Sequence, residues 1–313
     1  MEQRVLIIGA CGQIGTELTL KLRDKYGTSN VVASDLKEGT PQLMTSGLFI
    51  KIDATDKEQI RNILVEFNIT QVYMMAAMLS ATAEKMPLRA WDLNMTALLT
   101  ILELGKEGLY KQLFWPSSIG AFGPNSPHTN TPQDTIMAPT TVYGISKYSG
   151  EMWCQYYATQ YGLDVRTVRY PGIVSYKTKP GGGTTDYAVE IYFEALKSRN
   201  YTCFLSEETT LPMMYMDDAI EATLSLMAHP KLQAYKAYNI SGINFNPKEI
   251  ADAIKKQIPE FKIEYQPDFR QAIADSWPQS IDDSQAKADW DWQPQFDLEK
   301  MTSVMLANCK PDM

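Results

Sequence analysis

The sequence has few residues of the types that mark metal sites and disulfide frameworks. Its 313 residues include two histidines and four cysteines, and the cysteines stand far apart at Cys11, Cys154, Cys203 and Cys309. Single, scattered cysteines are typical of reduced thiols, and none of them combines with His128 or His229 at a metal-ligand spacing. We therefore expect a cytoplasmic protein without a metal site.

Long apolar runs and clusters of basic residues are also missing. The apolar runs are far shorter than the roughly 20 residues that span a bilayer, and residues 1 to 15 carry no basic leader before an apolar segment. The formal net charge of −8, without a run of Lys or Arg, argues against nucleic acid or an anionic membrane surface as a partner. We expect a soluble protein that acts on a small molecule.

The stretch from Val5 to Gly15 contains the first motif. Four apolar residues suited to a buried parallel strand precede Gly9, and an apolar spacing compatible with a helix resumes after Gly15. Gly9 would permit a tight turn, Gly12 would let backbone approach a pyrophosphate, and Gly15 would let helix and strand pack closely. A purely structural glycine turn is the alternative, so the motif needs support from elsewhere in the chain.

A second predicted strand ends at Asp35, 20 residues after Gly15. A carboxylate there can accept hydrogen bonds from an adenosine 2′-OH and would repel a 2′-phosphate, which favours NAD over NADP. Asp35 could instead cap a loop, and Lys37 weakens the argument for strict NAD use. The strand and helix patterns then alternate as in parallel βαβ units. The predicted fold is therefore α/β, a Rossmann-type doubly wound parallel sheet with a smaller C-terminal lobe.

Tyr143 and Lys147 form the most specific chemical signal. Residues four apart lie on the same helix face, so both side chains would address one ligand. A free phenol has a pKa near 10, and an adjacent ammonium together with a nicotinamide cation would favour its ionised form. We expect Tyr143 to act as a general base and Lys147 to lower its pKa.

Together these motifs resemble the short-chain dehydrogenase/reductase family, in particular its extended branch of the UDP-galactose 4-epimerase type. The G-x-x-G-x-x-G turn, Asp35 and Tyr-x-x-x-Lys carry the resemblance, along with the stretches 115–124, 169–173 and 181–188. It implies that Ser118, four residues before Phe122-Gly123, is the catalytic hydroxyl beside Tyr143 and Lys147. Members of the family usually have Thr at this position, and the hydroxyl is retained.

The resemblance also implies the cofactor-binding residues. Asp53 would reach the adenine amino group or, alternatively, cap the following helix. Small residues after the fourth strand would let backbone pass close to the nicotinamide ribose, and Asn94 would hold its helix and a water chain, unless it is simply exposed. The full predicted set is Gly9, Gly12, Gln13, Ile14, Gly15, Asp35, Leu36, Asp53, Ala54, Met75, Ala76, Ala77, Asn94, Tyr143, Lys147, Tyr170, Pro171 and Ile173.

The three stretches narrow the resemblance to members that oxidise L-threonine with NAD at its β-hydroxyl. The implied substrate contacts are Ser80, Ser118, Tyr143, Gly183, Thr184, Thr185 and Trp277. The arginine content also favours a substrate smaller than a nucleotide sugar. A nucleotide-sugar enzyme needs arginines to bind a pyrophosphate, and after Pro171 the chain has only Arg199 and Arg270. The alternatives are a nucleotide-sugar epimerase or dehydratase of the same fold, and a non-catalytic protein that senses NAD.

The length favours two lobes with a cleft between them. We expect residues 1–172 to form an NAD-binding Rossmann domain, with a contribution from about 208–242, and residues 173–313 to form a substrate-binding lobe. The segments Leu93 to Leu104 and Tyr148 to Tyr157 carry more apolar surface than one sheet face can cover. They predict a homodimer.

Overall fold

The computed structural model describes residues 3–177, 181–230, 232 and 234–310. Strands and helices alternate through most of the chain. The strands are β1 Val5–Ile8, β2 Val31–Asp35, β3 Phe49–Lys51, β4 Gln71–Met74, β5 Gln112–Phe114, β6 Ser117–Ser118, β7 Asp164–Tyr170, β8 Gly172–Val174, β9 Asn200–Cys203, β10 Leu211–Tyr215, β11 Ala237–Asn239, β12 Ile243–Phe245 and β13 Lys262–Tyr265.

The helices cover both faces of the sheet and build the smaller lobe. They are α1 Gln13–Tyr26, α2 Pro41–Thr45, α3 Lys57–Glu66, α4 Ser80–Lys85, α5 Pro87–Lys106, α6 Val142–Tyr161, α7 Tyr187–Lys197, α8 Met216–Ala228, α9 Pro247–Lys255, α10 Arg270–Asp275, α11 Ser284–Trp290 and α12 Leu298–Asn308. Short 3₁₀ turns occupy Thr28–Asn30 and Ile119–Ala121. Among the described residues, no helix is both long and apolar enough to cross a membrane.

The large sheet has eight strands in the order β11-β7-β5-β4-β1-β2-β3, with β6 paired beside β7. Its strands pair in parallel, and the order β7-β5-β4-β1-β2-β3 is that of a dinucleotide-binding fold. The predicted doubly wound parallel sheet is therefore confirmed. Strand β11 returns to the sheet late in the chain and pairs with β7.

Alternate residues of β1 supply two hydrophobic cores on opposite faces of the sheet. Val5 and Ile7 pack in the cluster that contains residues of α1 and α8, whereas Leu6 and Ile8 pack with residues of α3, α5 and α6. All four side chains are buried, which explains why the strand reads as an unbroken apolar run. This two-sided burial fixes the end of β1, and with it the glycine turn.

Two prolines interrupt the strands near the site. Strands β5 and β6, which both pair with β7, are separated at Trp115-Pro116, because proline has no N–H to donate to a ladder. Pro171 likewise separates β7 from β8, and β8 pairs with β10 in a second sheet of order β12-β10-β8. The chain thus crosses from the large sheet to the second sheet at Pro171.

Candidate active site

Two adjoining cavities lie at the carboxyl ends of the parallel strands, where α/β proteins bind ligands. The catalytic cavity, about 210 Å³, is lined by Tyr143, Lys147, Ser118 and residues 183–186. The nucleotide cavity, about 580 Å³, is lined by Asp35, Asp53 and residues 75–79. Gly9, Gly12 and Gln13 line both cavities, so the glycine turn joins them.

The glycine turn fits a pyrophosphate in three respects. Gly9 has a φ of +90°, and a Cβ there would lie 2.5 Å from the Ala76 nitrogen, so a side chain cannot replace it. The first turn of α1 carries no acidic residue, which leaves its N–H groups available to an anion. The buried Nε2 of Gln13 has no partner among the described residues and belongs to a side chain that lines both cavities.

Asp35 lies at the wall of the nucleotide cavity. Its carboxylate accepts from the Cys11 N–H at 2.9 Å and from the Lys37 N–H at 3.3 Å, which orients the side chain. Asp53 lines the same cavity and accepts from the N–H and hydroxyl of Thr55, which lowers its pKa. The helix that follows is capped by Asp56, so the alternative role of Asp53 as a helix cap is wrong.

Asn94 lies behind the cavities instead of on their walls. Its side chain bonds both backbone groups of Met78, accepting at 2.8 Å and donating at 3.2 Å, and also donates to the Ser146 hydroxyl. Asn94 therefore ties helix α5 to helix α6 and to the segment after β4. The remaining predicted cofactor residues, from Gly9 to Ile173, line one or both cavities.

Tyr143, Lys147 and Ser118 meet in the catalytic cavity. Tyr143 and Lys147 lie one turn apart on α6, and the Lys147 Nζ is 5.6 Å from the centre of the Tyr143 ring. Tyr143 and Ser118 line the same cavity, and the Ser118 hydroxyl accepts from the Gly120 N–H at 3.1 Å. The Lys147 ammonium donates to the Pro116 carbonyl at 2.6 Å and lies over the Trp115 ring.

Burial dominates the ionisation of this pair. It raises the pKa of Tyr143 to about 12, and the neighbouring Ser118 hydroxyl acts in the opposite direction. Burial also lowers the pKa of Lys147 to about 8, opposed by Cys154 and Glu151. The expectation that Lys147 lowers the pKa of Tyr143 is therefore not met in the protein alone. Its ammonium is itself desolvated and is directed toward Pro116.

The predicted substrate residues come together from both lobes. Ser80 at the start of α4 and Thr184 of the smaller lobe are joined between their hydroxyls at 3.1 Å, and the Thr184 N–H donates to Ser80 at 3.2 Å. A Cβ at Gly120 would lie 3.1 Å from the Tyr143 ring and 3.4 Å from Trp277. Gly183 and Thr185 complete this wall of the catalytic cavity.

The sequence reading missed Asp186, an acidic residue in the lining of the catalytic cavity. Its Oδ2 accepts from the N–H groups of Gly182 and Gly183 at 2.9 and 2.7 Å, and burial raises its pKa to about 6. The available signal was its place directly after Thr185, in a stretch already assigned to the substrate. At neutral pH this carboxylate is largely ionised.

The fold and this site define an NAD-dependent enzyme of the extended dehydrogenase type. The model of the NAD-dependent epimerase/dehydratase family matches residues 5–241, and the chain belongs to that family. An uncharacterized epimerase/dehydratase of Staphylococcus aureus (strain MRSA252) is 48% identical over 308 residues, which are 97% of this chain and 96% of the relative.

Two solved structures that resemble nearly the whole chain are named L-threonine dehydrogenases. One is the GalE-like L-threonine dehydrogenase from Cupriavidus necator in its holo form, 53% identical, with a TM-score of 0.95 over 97% of this chain and 99% of the other. The second is a monomeric L-threonine 3-dehydrogenase from a metagenome database, 48% identical, with a TM-score of 0.93 over 97% and 98% of the two chains. The cofactor of the family, NAD, agrees with the residues that line the cavities.

Asp35→Ala should narrow the preference for NAD over NADP, because it removes the charge that would oppose a 2′-phosphate. We expect a strong NAD preference in the unaltered protein, measured as the ratio of the two dissociation constants. Asp24→Ala, an exposed change on α1, is the matched control. Equal affinity of the unaltered protein for both cofactors would contradict the assignment of Asp35.

Lys147→Met should change how stability depends on pH. The pKa of Lys147 falls from 10.5 to about 8 on folding, so below pH 8 the fold contains a disfavoured ammonium. That cost declines as the pH rises through the interval between the two values. The melting temperature of the variant, relative to the parent, should therefore be highest at neutral pH and fall by a few degrees toward pH 10. Parallel melting curves, as expected for the exposed control Lys25→Met, would contradict this account.

Proposed function

We propose that this protein oxidises L-threonine at its β-hydroxyl with NAD and forms 2-amino-3-oxobutanoate. The observation that supports this most is the catalytic cavity, in which a Tyr-Lys-Ser group faces a wall of small hydroxyl residues from the other lobe. The two solved dehydrogenases match nearly the whole chain, including this region. We also propose the site residues given above. In this proposal residues 1–172, with a contribution from about 208–242, form the NAD-binding domain, and residues 173–313 form the substrate-binding lobe.

The reaction needs a base for the hydroxyl proton and an acceptor for a hydride. The residues around the glycine turn would hold NAD, and NAD would supply the acceptor for the hydride of the threonine β-carbon. Ser118 positions the substrate hydroxyl, and the phenolate of Tyr143 takes its proton and becomes the neutral phenol. Because burial raises the pKa of Tyr143, this phenolate needs a nearby positive charge. The Lys147 ammonium, 5.6 Å from the centre of the Tyr143 ring, stabilises the phenolate.

The cavity is small and offers partners for a free amino acid. The hydroxyls of Ser80, Thr184 and Thr185 are donors for a carboxylate. Asp186 brings a carboxylate into the same lining and provides an opposite charge for an ammonium group. These partners suit a zwitterion and require no arginine.

The arginines of the smaller lobe favour this substrate over a nucleotide sugar. Arg199 pairs with Glu260, and Arg270 binds Asp268 at 2.7 Å while lying over the Phe204 ring. Neither arginine lines the catalytic cavity. A sugar pyrophosphate would therefore lack the bidentate partner that this class of ligand usually has.

The homodimer belongs to the same proposal. Helices α5 and α6 together expose Leu88, Trp91, Met152, Trp153 and Tyr156, with between 40% and 83% of each side chain accessible. Large aromatic side chains grouped on adjacent helices are typical of interfaces. The related protein described as monomeric makes a direct test necessary. We also propose a cytoplasmic location, in keeping with the four free cysteines.

A panel of substrates tests the reaction itself. L-threonine should reduce NAD fastest, L-serine poorly because it lacks the methyl contact, and D-threonine poorly because its groups reach different partners. Absorbance of NADH measures all three, and chromatography of UDP-galactose mixtures measures epimerisation. Epimerisation without threonine oxidation would instead support the nucleotide-sugar enzyme, and NAD binding without any turnover would support the NAD sensor.

Tyr143→Phe should retain the fold and NAD affinity and lose turnover by roughly 10² to 10⁴, since it deletes the base. Initial rates with threonine, together with melting temperature, check both parts. Tyr161→Phe removes an exposed hydroxyl from the same helix and should leave the rate unchanged. A Tyr143→Phe rate within about twofold of the parent would remove this phenol from the mechanism.

Trp153→Asp should convert the dimer into a monomer, because it places a charge within the exposed aromatic face. Light scattering at micromolar concentration gives the mass of both proteins. Val65→Asp, on α3, changes an exposed apolar residue outside this face and should leave the mass unaltered. A monomeric mass for the parent would refute the dimer.

A further inference from the structure

Glu151 continues the spacing of the catalytic residues by one further turn of α6. Tyr143, Lys147 and Glu151 are four residues apart in succession, so their side chains lie along one face of the helix. The Glu151 side chain is 1% exposed, an extreme degree of burial for a carboxylate. The reaction described above does not use it.

Each oxygen of Glu151 is bound by a neighbouring strand. Oε1 accepts from the Ser117 hydroxyl at 2.5 Å and from the Arg169 Nε at 3.0 Å, while Oε2 accepts from the Arg169 Nη2 at 2.8 Å. Ser117 and Arg169 are register partners on β6 and β7. The carboxylate therefore fastens the catalytic helix to two adjacent strands at one point.

Both of those strands lead directly into the catalytic cavity. Ser117 precedes Ser118, and Arg169 precedes Tyr170, which pairs with Ser118 in the next register position. Arg169 is held further by the Gln133 carbonyl at 2.9 Å and the Asn239 side chain at 3.1 Å. A displacement of Glu151 would thus shift the helix of Tyr143 relative to the strand of Ser118.

We propose that Glu151 is a positioning residue that holds Lys147 and Ser118 in register and places a negative charge one turn from the Lys147 ammonium. The turnover part of its test depends on the proposed function. A buried ion pair contributes little to stability overall, whereas loss of one member leaves the other charge uncompensated. We therefore distinguish a role in positioning and charge from a role in stability alone.

The surroundings of Lys147 leave it as the group that titrates in the mildly alkaline range. Tyr143 has a pKa near 12, and burial raises the pKa of Cys154 on α6 and of Tyr235 well above their usual ranges. Arg169 on β7 remains charged, with its pKa raised beside Glu151. Lys147 is the remaining group that can titrate in this range. Its pKa is near 8, and Glu151 is among the groups that raise it.

Glu151→Gln keeps the shape and the acceptor for Ser117 but removes the charge. We expect kcat to fall about tenfold or more, and the alkaline limb of kcat/KM to move down by roughly one pH unit. The melting temperature should also fall, because Arg169 is left unpaired. NADH affinity, measured by fluorescence titration at a series of pH values, should weaken at a lower pH than in the parent, by the same shift.

The double variant Glu151→Gln with Arg169→Met separates charge from stability. It removes both members of the pair, so the melting temperature should recover toward that of the parent while the alkaline limbs of kcat/KM and NADH affinity stay displaced. Asp218→Asn is the matched control, since this buried carboxylate binds the N–H groups of Gln295 and Phe296 instead. It should lower the melting temperature without moving either limb.

The proposal would be overturned if, in the single or the double variant, kcat/KM and NADH affinity fell at the same alkaline pH as in the parent. A double variant in which the limbs recover together with the melting temperature would also overturn it. A parent that binds NADH but does not oxidise threonine would overturn the proposed function separately. The fluorescence titrations would then still decide the role of Glu151.

Discussion

The catalytic end of the molecule depends on the packing of helix α6 against the strand ends β6 and β7. This contact places a phenol, an ammonium and a carboxylate, one turn apart from each other, in an environment from which water is largely excluded. Such burial is costly for ionisable groups, and the fold provides two of them with a direct partner: the Pro116 carbonyl for Lys147 and Arg169 for Glu151.

The nucleotide half imposes a second constraint, since the glycine turn must stay open for a ligand while the strands around it are fully packed. Burial of β1 on both faces fixes the turn, and the close approach of Ala76 requires glycine at position 9. Residues 183–186 line the catalytic cavity together with the glycine turn. The glycine turn is thus shared by the two cavities, whereas residues 183–186 line only the catalytic one.

Much of this could be predicted from the sequence because the relevant signals are local. The glycine turn, Asp35 and the Tyr143-Lys147 pair each depend on short spacings within one strand-helix unit, and the structure gathers them around the two cavities. The separation of β5 from β6 at Pro116 and the crossing between sheets at Pro171 were not predicted, although both prolines are visible in the sequence. Which sheet each segment joins is decided by partners far along the chain.

The ionisation of the site could not be predicted, because it depends on burial and not on spacing. Helical periodicity placed Lys147 beside Tyr143 and suggested a lowered phenol pKa, whereas desolvation raises it. Glu151 and Asp186 were overlooked for the same reason, since an acidic residue in a helix or loop usually faces solvent. Their importance comes from Ser117, Arg169 and the N–H groups of Gly182 and Gly183, which only the folded chain brings close.

In the proposed reaction a hydride passes from the β-carbon of threonine to NAD within the catalytic cavity. L-threonine carrying deuterium at that carbon tests this directly, by mass spectrometry of the reduced cofactor and by comparison of the rates with both isotopic forms. We expect one deuterium in each NADH formed, and a slower rate with the deuterated threonine if hydride transfer limits turnover. Reduced cofactor without deuterium would contradict it, because the hydride would then come from another position.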